Sequence, residues 1–262
     1  MNNTRFIVFS DLDGTLLDHE NYSFDPARPA LKSLKSAGHV LVLASSKTAS
    51  EIAPLREEIG FSHCPAIVEN GSGLLEPSDD GQGSGGDEHQ LILAALDELP
   101  VELRKGFSGF FDWSVSEVMT RTGLTELAAK RAKTRWFSEP GEWSGTEDGL
   151  QAFTEELSQR GISAIMGGRF LTLSHGKTKA SQMDSVLLRY QTESQVVSTI
   201  ALGDAPNDIA MLEKADLGVI IANPAHAGIV RLAGEQTGQI IRSRSHGPTG
   251  WNEELMRILD SN

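Results

Sequence analysis

Short apolar runs alternate with helical periods at the start of the chain. "FIVF" (Phe6–Phe9) has no polar interruption, as expected of a strand buried on both faces. "DPARPALKSLKSAG" carries proline near its start and Gly38 at its end, with Ala30, Leu31, Leu34 and Ala37 at helical spacing. "HVLVLAS" predicts a second buried strand, a helix follows from about Thr48 to Ile59 with a stop at Gly60, and "PAIVEN" predicts a third strand. Strand, helix, strand, helix, strand implies right-handed crossovers and a parallel sheet with helices on both faces.

The rhythm then changes. "EPSDDGQGSGGDEH" (Glu76–His89) is rich in Gly, Ser and Asp and reads as a flexible linker or exposed loop. Beyond it lie the helical periods "LILAALDEL", "LTELAAKRA" and "GLQAFTEELSQRG", then "ISAIMGGRFLTLS", which predicts a hairpin turning on Gly167 and Gly168. After His175 the first rhythm resumes: a helix from about Lys177, "VVSTIALGD" as strand, "APNDIAMLEKA" as helix, "LGVIIAN" as strand and "WNEELMRILD" as a closing amphipathic helix. The expected architecture is therefore α/β. A Rossmann-like, doubly wound parallel-sheet core comes from residues 1–84 and 176–262, with an α/β domain of residues 85–175 inserted over it.

Composition narrows the partners. The chain of 262 residues is 39% hydrophobic and 23% charged, ordinary for a globular protein with a sizeable core. Its 36 acidic against 23 basic residues give a net charge of -13, which argues against nucleic acid and anionic membrane as partners. A small anionic substrate stays open, because a few local cations or a metal outweigh the global field. Cys64 is the only cysteine, and no apolar run is long enough for a signal peptide or a membrane span, so a cytoplasmic protein is expected.

In doubly wound sheets, ligands bind beyond the carboxyl ends of the strands. The first run is followed by Asp11, Asp13, Gly14 and Thr15, and the second by Ser45, Ser46 and Lys47. Glu69, Asn70 and Gly71 follow the third, and "VVSTIALG" ends in Asp204, with Asn207 and Asp208 just beyond. Aspartates converging on one point repel unless a cation sits between them. An oxygen-only set without His or Cys at ligand spacing selects a hard ion such as Mg²⁺. A carboxylate nucleophile beside Mg²⁺ points to phosphoryl transfer through an aspartyl-phosphate. Ser45 would offer its hydroxyl and backbone N–H to phosphate oxygens, and a lysine is required to balance the remaining charge.

"DLDGTLL", "ASSKT", the lysine of "GKTKA" and "GDAPNDIAML", in that order, resemble the four motifs of the haloacid-dehalogenase-like phosphatases. The inserted block resembles the larger α/β cap of the subgroup that includes sugar-phosphate phosphatases. More narrowly, "SSKT", "VENGSG", "WFSEP" and "GGRF" followed by "GK" resemble the mannosyl-3-phosphoglycerate phosphatases. That resemblance implies hydrolysis of a glycosyl-3-phosphoglycerate, a small anionic substrate, to glycosylglycerate and phosphate. A broader sugar-phosphate or nucleotide phosphatase is the alternative. Carried over, Asp11 is the nucleophile and a Mg²⁺ ligand, and Asp13 the general acid and later base with its carbonyl on the metal. Ser45 and Ser46 bind phosphate, Asp204 and Asp208 hold Mg²⁺, and Asn207 stands behind them. Lys177 is favoured over Lys179 as the catalytic lysine, because Ala180 then keeps its offset. Lys47, Glu69, Asn70 and Arg169 are candidate substrate contacts, Arg169 because its guanidinium suits a glycerate carboxylate.

Each assignment has a plainer competitor. Asp and Gly after a strand also make turns, and "GDAPND" also makes a helix N-terminus. A lysine at a helix start is ordinarily solvated. Cys64 reads as a packing residue, and the tryptophans as packing for the inserted block.

Overall fold

The structure, a computed structural model, describes residues 4–83, 86–191, 196–225 and 227–261. In chain order, β1 (Arg5–Ser10), α1 (Arg28–Ser36), β2 (Val40–Leu43), α2 (Ala49–Ile59), β3 (Ala66–Val68) and β4 (Gly73–Leu75) form the first part. The middle holds α3 (Glu88–Asp97), α4 (Val101–Arg104), β5 (Phe107–Gly109), α5 (Val115–Thr122), α6 (Glu126–Lys133), β6 (Ser138–Trp143), α7 (Glu147–Gln159), β7 (Ser163–Met166) and β8 (Leu171–Ser174). The last part is α8 (Lys179–Tyr190), β9 (Val197–Gly203), α9 (Ile209–Lys214), β10 (Leu217–Ala222), α10 (Gly234–Thr237), β11 (Ile240–His246) and α11 (Gly247–Asp260).

Five strands form a parallel sheet in the order β11-β10-β9-β1-β2. The chain moves from β1 to β2 on one side and returns in β9 on the other, so strand order reverses at β1. Ser10 pairs with Leu43 on one flank and Leu202 on the other. This register brings Asp11, Ser45 and Asp204 out of the sheet at nearly one level. Crevices at such reversals are where these sheets bind ligands.

The local signals explain the ends of the helices. Thr48 caps α2 in a reciprocal pair with Glu51, and Gly60 closes it with φ 87°. One expectation needs correcting. "PAIVEN" does not join the five-stranded sheet: β3 pairs antiparallel with β4, and an isolated parallel bridge, Ala44 to Ile67, sets it beside β2's end. The Gly-rich stretch is an exposed loop over most of its described residues, as the sequence suggests, and the buried Arg56 guanidinium donates to the carbonyls of Cys64, Glu76 and Asp79. The expected 84/85 boundary falls on residues outside the described ones.

Between β4 and α8 the chain builds a second sheet, antiparallel in the order β5-β6-β8-β7. The hairpin of β7 and β8 closes through Gly167 donating to Phe170, as the sequence suggests. β6 is less legible, since "SEPGEW" carries proline and glycine inside a strand. This layer has its own apolar clusters, one around Ile92, Phe107, Phe153 and Leu173 and one around Phe110, Trp113 and Val118. Trp136 and Phe137, just ahead of β6, pack instead with the core of the parallel sheet. Trp251 of α11 belongs there too, donating its indole N–H to Ser10 Oγ at 2.9 Å. Among the described residues, no helix is long and apolar enough to cross a membrane.

Candidate active site

The residues at the β1 and β9 ends meet. Asp11, Asp204 and Asp208 are buried, and one carboxylate oxygen from each lies within 4.8 Å of the others. Lys179 enters from the first turn of α8, donating to Asp11 Oδ1 at 2.6 Å and to Asp208 Oδ1 at 2.8 Å. Burial opposes the Lys179 ammonium, but the Asp11 and Asp208 carboxylates overcome it and hold the lysine well above its ordinary range. Burial also pushes Asp11 well above the usual carboxylate range; Lys179 opposes this, while Asp208 and Asp204 reinforce it. Three carboxylates against one ammonium leave an excess negative charge in a nearly dry site.

The carboxylate oxygens of Asp204 and the second oxygen of Asp208 accept further hydrogen bonds. Thr15 Oγ1 donates to Asp204 Oδ1 at 2.8 Å, and Asn223 Nδ2 to Asp204 Oδ2 at 2.7 Å. Asp208 Oδ2 accepts the backbone N–H groups of Asp204 and Ala205, so it closes the loop after β9 on itself. Gly14 is required where it stands. Its φ is +82°, and a Cβ there would lie 2.1 Å from Asn223 Nδ2 and 2.9 Å from Asp204 Oδ2.

Asp13 sits nearer the mouth. Its Oδ2 pairs with Lys47 Nζ at 2.6 Å, whereas its Oδ1 is buried without a hydrogen-bond partner among the described residues. Burial works against the Lys47 charge, but the Asp13 carboxylate leads the groups that raise its pKa. Ser45 is buried and its Oγ accepts the Lys47 N–H, whereas Ser46 is exposed. Exposed Asn207 reaches Asn70, donating to its Oδ1 at 3.2 Å.

Three expectations fare differently. Lys177 is exposed and lies in the loop before α8; the lysine brought to the acids is Lys179. The reason is local. Thr178 caps α8 with Ser181, so the helix begins at Lys179, which enters the site from its first turn, while Lys177 lies before the cap. Glu69 faces no open cleft: its buried carboxylate accepts from Trp136 N, Phe137 N and Ser138 Oγ and pairs with Arg135. Exposed Arg169 lies against Phe170 and, weakly, the Thr122 carbonyl, and no described contact ties it to the acidic cluster. Thr15, placed at the β1 end by the sequence but without a role, and Asn223, which no sequence motif singles out, complete the cluster. Thr15 lies inside "DLDGT", and Asn223 follows the β10 run "LGVIIA", where the strand-end rule also applies.

Buried carboxylates with a lysine, at the reversal point of a parallel sheet, mark the candidate active site. The haloacid dehalogenase-like hydrolase family matches residues 8–83 and 137–239. A glucosyl-3-phosphoglycerate/mannosyl-3-phosphoglycerate phosphatase from Methanococcoides burtonii is 30% identical, covering 98% of each chain. A haloacid dehalogenase-like hydrolase from Bacteroides thetaiotaomicron superposes with a TM-score of 0.68 at 19% identity, over 97% of this chain and 99% of that one. The sucrose-phosphatase of Synechocystis sp. does so with a TM-score of 0.59 at 17% identity, over 99% of both chains. The chain belongs to the haloacid dehalogenase-like hydrolases, and it is a phosphatase.

Proposed function

We propose that this phosphatase is Mg²⁺-dependent and hydrolyses a glycosyl-3-phosphoglycerate to glycosylglycerate and phosphate. The buried meeting of Asp11, Asp204 and Asp208 under Lys179 carries the chemistry. The full-length relationship to the M. burtonii phosphatase supports the substrate. The donor set suits a hard divalent cation: it is all oxygen, and its charge exceeds what Lys179 balances. When bound, Mg²⁺ would neutralise phosphoryl oxygens and keep the carboxylates ionised.

The chain's own residues have distinct tasks. Asp11, steadied through Oδ1 by Lys179, attacks the phosphorus, and the ester oxygen leaves on the opposite side in line. Asp13 passes a proton to that oxygen, then takes one from the water that hydrolyses the aspartyl-phosphate. The incoming phosphate competes with Asp13 for Lys47, so substrate arrival frees the Asp13 carboxyl to work as an acid. Ser45 offers its hydroxyl to a phosphate oxygen. Residues 85–175 act as a cap that closes over the leaving group and shields the intermediate from premature water.

Measuring phosphate release from a panel of esters tests the reading. Mannosyl- or glucosyl-3-phosphoglycerate is expected to exceed hexose phosphates and nucleotides in kcat/KM. Equal rates on hexose phosphates would overturn the substrate assignment.

A further inference from the structure

Glu69 combines features that a surface carboxylate does not have. Its side chain is fully buried and accepts from Trp136 N at 2.9 Å, Phe137 N at 3.2 Å and Ser138 Oγ at 2.7 Å, with Arg135 Nε at 3.2 Å. Its backbone points the other way. Glu69 N donates to Lys47 O at 2.9 Å and Asn70 N to Ser45 O at 2.8 Å. Both residues are left-handed, with φ 51° and 58°, a conformation Asn tolerates and Glu adopts uncommonly. One short turn therefore grips the loop carrying Ser45 and Lys47 with its backbone, and the entry to β6 with its side chain.

Neighbouring contacts converge on the same junction. The Phe137 ring fills the place a Cβ would take on Gly73, 2.3 Å away, directly beyond the turn. Thr48 Oγ1, at the start of α2, donates to Arg131 O at 2.9 Å. Inside the antiparallel layer, Glu139 fixes the next stretch of β6 by accepting from Phe111 N and pairing with His89, both at 2.7 Å. A displacement at residues 135–138 is thus passed into the layer rather than absorbed.

We infer that Glu69 is a positioning residue for the phosphatase reaction: its side chain sets where the antiparallel layer stands over the Ser45–Lys47 loop. The part of a substrate beyond its phosphate must fit between the two, so Glu69 governs large esters and leaves small ones alone. This rests on the assignment of Ser45 to the phosphate, which Ser45→Ala tests separately: full activity in that variant would remove the assignment itself.

The experiment compares Glu69→Gln and the milder Ser138→Ala with wild type on phenyl phosphate and on the best glycosylated ester of the panel, alongside melting temperature. For the glycosylated ester, kcat/KM is expected to fall about tenfold or more in Glu69→Gln, mainly through KM. Ser138→Ala should fall in the same sense by less, and phenyl phosphate turnover should hold within about twofold in both. Should Glu69→Gln fail to fold, Ser138→Ala decides. Parallel losses on both esters that track melting temperature would show a purely structural role and overturn the inference, as would unchanged KM on the large ester.

Discussion

Replacing Lys179 by methionine removes the ammonium facing Asp11 and Asp208 while keeping an unbranched side chain. The two contacts are 2.6 and 2.8 Å. At an effective dielectric near 20, each holds about 6 kcal/mol of gross attraction. Desolvation of the buried charges offsets much of that, and breaking one side of a buried pair leaves a net cost of about 3–5 kcal/mol. The upper end is expected, because three buried carboxylates would then face one another without a counter-charge. Thermal melting in EDTA should show this loss. Added Mg²⁺ should raise the melting temperature of the variant by more than that of the wild type, since a divalent ion supplies the missing charge. In phosphate release with Mg²⁺, kcat/KM should fall about 10²- to 10³-fold, as when an aligned electrostatic partner is removed elsewhere. Lys177→Ala is the control. Its side chain is exposed, so stability should change by under about 0.5 kcal/mol and activity should stay close to wild type. A Lys179→Met enzyme keeping more than about a tenth of wild-type kcat/KM, or a Lys177→Ala enzyme falling as far, would refute the assignment.

Three further outcomes follow from the same geometry. EDTA should abolish phosphate release and Mg²⁺ restore it, with Asp204→Asn needing at least about tenfold more Mg²⁺ for half-maximal rate; full activity in EDTA would sink the metal assignment. Gly14→Ala combines a φ of +82° with a Cβ 2.1 Å from Asn223 Nδ2. It should cost at least about 1–2 kcal/mol in urea denaturation and impair activity, and an unchanged midpoint would contradict the close packing. Glu235 is drawn down from 4.5 to about 2 by its hydrogen bonds to the Arg242 guanidinium and by the Leu232 N–H. A depressed carboxylate stabilises above its unfolded pKa and loses that contribution as pH falls through the folded one. Glu235→Gln should therefore melt below wild type at pH 7, with the gap closing as pH falls from about 4.5 toward 2; a gap independent of pH would refute it.

The acids of the site were legible because two period rules act together. An uninterrupted apolar run marks a buried parallel strand, and parallel strands all end at one edge, so Asp11, Asp13, Ser45 and Asp204 could be placed together without knowing strand order. The same logic reaches Asn223 once β10 is treated like its neighbours. β3 is ambiguous in the sequence because three apolar residues suit a hairpin as well as a parallel strand, and among the described residues an isolated parallel bridge, Ala44 to Ile67, links it to the sheet.

The identity of the balancing cation is encoded in helix capping rather than in charge. Charge counting demands a lysine near the acids but cannot choose between two lysines separated by one residue. Helix capping can: Thr178 with Ser181 marks the N-terminus of α8, which puts Lys179 inside the helix and Lys177 before it. The approach of Gly71, whose Cβ would lie 2.0 Å from the Thr178 carbonyl carbon, then seats that cap against the turn beyond β3. Glu69 had no such local signal. The backbone N–H groups that its carboxylate accepts begin 67 positions later in the chain, and nothing near Glu69 distinguishes an acid reaching for substrate from one held between distant segments. Residues that gather at the site can thus be read from where strands stop, whereas residues that join distant segments become visible only after folding has chosen which distant backbone N–H groups meet which carboxylate.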